Sequence, residues 1–228
     1  MSIATYTDLL AAVQNYLFGR TDIAQRIPEW VTLVEAKLNR LLYCRQMEGR
    51  SFTLCQPQSS TPEWLTLPFN FQTLRRIRIV GLGAQSPTGT SPRLRFATQA
   101  QIDDLRCTNP PVGQPIWFAL FGSEIEMVPT PDQAYQLEIV YRSVLPPLNG
   151  TDDNGANIAT NWLLTSYPDA YLYGLLLEAS PYLYDDARIP TWSAAFTGAI
   201  DAINSLSDQA LYNSGPLVRR LSNARGYS

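Results

Sequence analysis

The chain has 228 residues, enough for one or two domains with a proper core; 45% are hydrophobic and none is histidine. Without histidine it lacks the commonest general base, the usual zinc ligand and the centre of any Ser–His or Cys–His nucleophile arrangement. The net charge of −3 is unevenly spread: residues 1–149 carry 13 basic and 12 acidic groups, whereas residues 150–210 carry eight acids against Arg188 alone, a region unsuited to gripping phosphate.

Tyr6, Leu9, Leu10, Val13 and Leu17 repeat at helical spacing and predict a first helix ending near Gly19. A second is expected from Pro28 to about Tyr43, with Val31, Val34, Leu38, Leu41 and Leu42 inward and Glu29, Glu35, Lys37 and Arg40 mostly outward. From about Arg50 the period becomes two. Phe52/Leu54, Leu65/Leu67, Ile77/Ile79, Leu94/Phe96, Ile125/Met127 and Tyr135/Leu137/Ile139/Tyr141 alternate with polar neighbours and are expected to face a core. Ile116–Phe121, apolar at both parities, reads as a central strand. Thr98 is placed to cap a short helix, Gln99–Arg106. Short strands punctuated by many prolines predict an antiparallel sandwich or small barrel.

Pro146–Thr160, rich in Asn, Gly and Asp, reads as a linker. Asn161–Asp186 is helical in pattern but apolar almost all the way round, with Pro168 and Asp169 suited to a first turn. Such a helix must be covered on every side, as the centre of a core or by neighbouring subunits, and its tyrosines favour partial wetting or an interface. It is too short and interrupted to cross a membrane. Trp192, Phe196, Ala199, Ile200, Ile203, Leu206 and Ala210 mark a long amphipathic helix starting at Pro190 and stopped by Gly215-Pro216. The expected fold class is α+β: a helical bundle from 1–48 plus 160–213, a β-domain over 49–146, a linker over 147–159 and an extended tail over 214–228.

No motif here carries chemistry. Gly81-Leu82-Gly83 has no third glycine and opens no helix, and Asp152–Gly155 fails as a calcium loop. Cys44, Cys55 and Cys107 have no C-x-x-C spacing and read as reduced thiols of a product made in a cytoplasm; no basic and apolar leader is evident in the first ten residues. The pairs Asp103/Asp104, Asp152/Asp153 and Asp185/Asp186 are sequence neighbours that point apart, so no catalytic, cofactor or metal site is expected. Arg76, Arg78, Arg93 and Arg95 should share one outward face, where like charges repel unless something anionic lies over them. That face is either solvated or covered by phosphate or an acidic protein surface, such as the acidic helical region of an adjacent chain with Asp185 and Asp186. All basic residues but Lys37 are arginine, which fits either an interface-rich surface or a GC-rich genome. In the tail, Leu217, Val218 and Leu221 interleave with Arg219, Arg220 and Arg225, a pattern that suits docking in a groove.

Four segments carry a resemblance: TYTDLLAAVQNYLFGRTDIAQRIPEWVTLVEAKLNRLLYCRQMEGR, LPFNFQTLRRIRIVG, PIWFALFGSEIEMVPTPDQAYQLEIVYRSVLPPL and NWLLTSYPDAYLYGLLLEASPYLYDDARIPTW. In order and spacing the chain resembles the head-to-tail adaptor proteins of tailed bacteriophages, the group that includes the tail tubular protein A of short-tailed phages. The resemblance implies a non-enzymatic virion protein without cofactor or membrane association. It implies a ring, usually of twelve copies, in the neck beneath the portal, with DNA passing through its channel. The C-terminal segment would reach the portal, and the opposite end would receive the tail nozzle or next tail component. Two alternatives stand beside it. One is a phage carbohydrate- or receptor-binding sandwich with Trp64 and Trp117 as stacking platforms, which leaves the terminal helices unused; the other is a lysin built on paired carboxylates.

Overall fold

The computed structural model describes residues 3–20, 22–57, 61–82, 92–108, 112–151, 157–183 and 187–211. In chain order the elements are α1 (Tyr6–Tyr16), α2 (Ile27–Leu41), β1 (Glu48–Cys55), β2 (Trp64–Thr66), β3 (Phe71–Leu82), β4 (Arg95–Phe96), α3 (Gln99–Thr108), β5 (Trp117–Phe121), β6 (Glu124–Val128), β7 (Tyr135–Ser143), α4 (Trp162–Ser166), α5 (Pro168–Ala179) and α6 (Ile189–Leu211). Helices at both ends and a strand-rich middle make the fold α+β. The chain divides into two compact units, a helical one from 1–46 with 145–228 and a β unit from 47–144. Among the described residues no helix is long and apolar enough to cross a membrane.

In the helical unit, α1 opens on a capping box: the Thr5 side chain accepts the Asp8 N–H while the Asp8 carboxylate accepts that of Thr5. It closes through Phe18 and Gly19, both left-handed at φ 59° and 68°. α2 carries Pro28 in its first turn and buries Trp30, Val31, Val34, Leu38 and also Glu35, which the helical period places among the mostly outward residues. Leu41, expected inward, is 44% exposed.

The apolar stretch from Asn161 is not one helix. Tyr167 leaves the helical region at φ −140° and ψ 64°, because the ring of Pro168 disfavours helical backbone at the residue before it. α4 is capped by Asn161, whose Oδ1 accepts the Leu164 N–H at 2.9 Å. α5 is the centre of the unit, packed against α1, α2, α4 and α6 with Tyr171, Leu172, Leu175, Leu176 and Ala179 buried. The chain itself therefore supplies most of the cover its apolar faces need. Gly174 permits the closest approach, since a Cβ there would lie 2.9 Å from Val34 Cγ1 and 3.1 Å from Phe196 Cε2. α6 turns Trp192, Phe196, Ala199, Ile200 and Ile203 inward, while Leu206 is 51% exposed.

In the β unit two sheets share one core. The first is antiparallel, in the order β1-β7-β3, and the second runs β2-β6-β5-β4. The β4–β5 pair is parallel, so the second sheet is mixed and not antiparallel throughout as expected. Ile77 and Ile79 from β3, Leu137 and Ile139 from β7, and Phe118, Ile125 and Met127 from the second sheet meet in that core. α3 covers the other side of the second sheet, where Ile102 packs on Ala97, Ala119 and Val128. β5 is apolar at both parities for this reason: Phe118 enters the shared core and Ala119 lies under α3.

The expected inward pair Phe52/Leu54 faces the other way, and so does one member of the pair Leu94/Phe96. β1 turns its small residues inward, with Gly49, Ser51 and Thr53 half-buried and Cys55 buried, and Phe52 and Leu54 are 49% and 37% exposed. Gly49 shows why: a Cβ there would lie 2.8 Å from Cζ of Tyr141, so the tyrosine ring fills the space that β1 leaves. Phe96 is 62% exposed although Leu94 is buried.

Candidate functional site

The reversed parity of β1 assembles an unusual surface on the outer face of the first sheet. Register places Phe52 and Arg78 on either side of Glu138, and Arg50 and Arg76 on either side of Val140. Glu138 is only 1% exposed. Its Oε1 accepts the Arg50 Nε–H and its Oε2 that of Arg78, while an Arg76 guanidinium nitrogen stands 3.8 Å from Oε2. The Arg50 guanidinium also lies over the Phe52 ring at 4.5 Å. Burial alone would raise the Glu138 carboxyl, but the hydrogen bonds and charges of Arg78 and Arg50 outweigh it and hold the group below the ordinary glutamate value. Glu138 thus stays ionised and organises three long cations on a sheet surface. The Nε of Arg76 is buried with no hydrogen-bond partner among the described residues.

The four arginines singled out in the sequence do not share one face. Arg76 and Arg78 lie on β3, and Arg93 joins them through an isolated bridge to Arg78. Arg95 belongs instead to β4, opposite Trp117 in the second sheet. The anion that relieves the repulsion comes from the same chain. Sequence reading missed Glu138, although it is the one acid at an outward position of β7 between Leu137 and Ile139. Asp185, Asp186 and the tail residues Leu217, Val218, Arg219, Arg220, Leu221 and Arg225 lie outside the described residues.

The helical unit holds a second buried carboxylate. Glu35 Oε1 accepts the Leu148 N–H at 2.7 Å and the Tyr171 hydroxyl at 3.2 Å. That hydroxyl accepts from Asn161 Nδ2 at 2.7 Å, and the same nitrogen reaches the Pro146 carbonyl at 2.8 Å. Burial raises the Glu35 carboxyl, and the bonds from Leu148 and Tyr171 offset this only in part. Burial and the nearby Glu35 raise the Tyr171 hydroxyl as well. This network ties residues 146–148 to α2 and α5; every donor in it is neutral.

Among the described residues no group of three or more His, Cys, Asp or Glu is placed to hold a metal. Asp103 and Asp104 are both exposed on α3. Trp64 stands edge-on to Phe121 with ring centroids 5.7 Å apart, and Trp117 packs against the cluster under α3. The arginine-rich sheet face, with an exposed aromatic among fixed guanidinium groups, is equipped for recognition. A family model described as SU10 adaptor protein matches residues 4–220, a span that takes in both units. No curated protein matches the chain.

Proposed function

This chain belongs to the SU10 adaptor protein family, a family of structural phage adaptors, and from that premise we propose that it forms the ring joining portal to tail in the virion neck. In this reading, copies close head to tail beneath the portal, typically twelve of them, as in the tail tubular protein A group. The ring receives the tail nozzle or next tail component on its far side, and DNA passes through its channel without chemistry. The tail bearing Leu217, Val218, Arg219, Arg220, Leu221 and Arg225 docks on the portal. The family match over both units is the observation that carries the reading. A closed ring needs two different complementary patches on each copy, and a cationic sheet face and an acidic helical region are available as such patches.

The test is imaging of the purified protein mixed with portal-bearing heads, intact and with residues 217–228 deleted. The intact protein is expected as a ring under the portal. The truncated one should keep its fold and thermal midpoint and lose attachment. Scattered single copies in place of a ring would sink the adaptor-ring reading; retention of the truncated protein would remove the tail as the dock.

A further inference from the structure

On the first sheet's outer face Arg50, Arg76 and Arg78 meet the carboxylate of Glu138, Arg93 bridges to Arg78, and Arg75 engages Glu48 at the start of β1, so arginines outnumber carboxylates there. The surplus is held in place: Glu138 is buried and fixes Arg50 and Arg78, while Arg93 is exposed. Apolar groups stand among the charges, Phe52 and Leu54. A phosphate backbone would leave these uncovered, whereas a protein surface with both carboxylates and apolar atoms covers both kinds of group.

The helical unit carries a surface of matching chemistry. α6 contains no lysine or arginine in its 23 residues, and its exposed side presents Asp201 and Asp208. Between and before them the exposed positions are small, Ala194, Gly198, Ala202 and Ser205, and a Cβ at Gly198 would meet nothing within 4 Å. Leu206 adds exposed apolar surface. Asp201 and Asp208 are two turns apart, about 10.5 Å along the helix axis. Arg50 and Arg78 stand on the two strands that flank β7, offset by two residues along them, and their Nε atoms converge on the two oxygens of Glu138. One face thus offers long guanidinium and phenyl side chains, and the other offers small side chains and two carboxylates.

We propose that the outer face of the β1-β7-β3 sheet receives the exposed Asp201–Asp208 face of α6 from a second copy of this chain. This inference rests on the ring reading above and names the two patches that close it. The pairing uses different surfaces on the two copies, so it propagates from subunit to subunit and terminates only by closure.

Two variants test it while leaving Glu138 and the three arginines around it unsubstituted: Phe52→Glu with Arg93→Glu on the sheet, and Asp201→Arg with Asp208→Arg on the helix. All four positions are exposed, and circular dichroism with the unfolding midpoint serves as the folding control. Association is followed by native mass measurement, alone and on portal-bearing heads. Each variant by itself is expected to raise the apparent Kd of subunit association on the order of 100-fold, since one removes the positive surplus of the sheet face and the other sets positive against positive. An equimolar mixture of the two should recover assembly, because in an alternating ring the two acids added to the sheet meet the two arginines added to the helix. Wild-type assembly by either variant alone, or no recovery in the mixture, overturns the pairing. So does a sheet variant that self-associates normally but loses retention of double-stranded DNA. A wild-type chain that forms no ring on portal-bearing heads fells the ring reading, and this inference with it.

Discussion

In the helical unit Glu35 is buried among neutral donors, while in the β unit Glu138 is buried beneath arginines. The two carboxylates respond in opposite directions: burial raises Glu35, whereas Arg78 and Arg50 pull Glu138 down against the same burial. Their roles differ accordingly. Glu35 holds a returning chain segment by its backbone, which asks for a hydrogen-bond acceptor and no particular charge. Glu138 holds other side chains that point toward water, which asks for a permanent negative charge. One carboxylate organises the inside of its unit, and the other organises a surface.

The largest expected effect comes from stripping the cations. Arg50→Ala with Arg78→Ala leaves a nearly inaccessible carboxylate and should cost about 3–5 kcal/mol, read from urea unfolding followed by tryptophan fluorescence. Glu138→Gln leaves partly exposed guanidinium groups that water can solvate and should cost only about 1 kcal/mol. Equal losses in the two variants would mean that the carboxylate is not the organising member. Tyr171→Phe comes next, at about 2 kcal/mol, because it removes the hydroxyl spanning Glu35 and Asn161. A loss below a few tenths would show that the neutral network contributes little.

The smallest effect is a change in slope with pH. Glu35, raised on folding, contributes stability that is complete below the ordinary value of 4.5 and is lost as pH rises through its folded value. Glu138, depressed on folding, contributes stability that is present above 4.5 and is lost as pH falls through its folded value. Thermal midpoints measured across pH should therefore lose, in Glu35→Gln, the decline that sets in as pH rises above 4.5, and, in Glu138→Gln, part of the decline that sets in as pH falls below it. If each substitution flattened the opposite limb, the assignment of the two environments would be reversed.

Much of the frame was legible in the residues. Pro28 and Pro168 do lie in the first turns of α2 and α5, and the all-round apolar pattern of α5 marks the centre of a core. Strict alternation found the buried faces of β6 and β7 because both pack on a shared interior. It failed on β1, where the inward side carries only Gly49, Ser51, Thr53 and Cys55 and the space is filled from β7 by Tyr141. Hydrophobicity names the larger side chain, but burial goes to the one that fits. Glu35 and Glu138 were illegible for a related reason: a lone acid in a periodic segment reads as solvent-facing, and only strand register or tertiary contact reveals what covers it. The arginine cluster was visible as charge. Its membership was not, since Arg50 lies on a strand distant in sequence and Arg95 pairs into the other sheet.

The placement of α5 has a bearing on how the chain is made. The β unit is continuous from 47 to 144 and sits inside a helical unit whose two portions lie at either end of the sequence. A ribosome that has finished α2 must therefore add roughly 140 more residues before α5 emerges, on the order of 10 s at common bacterial rates. Throughout that wait Val31, Val34 and Leu38 have no central helix to cover them, while the strands between already have every partner they need. The nascent chain thus passes through a stage with one finished module and one greasy, half-made one, the moment at which it most needs a chaperone.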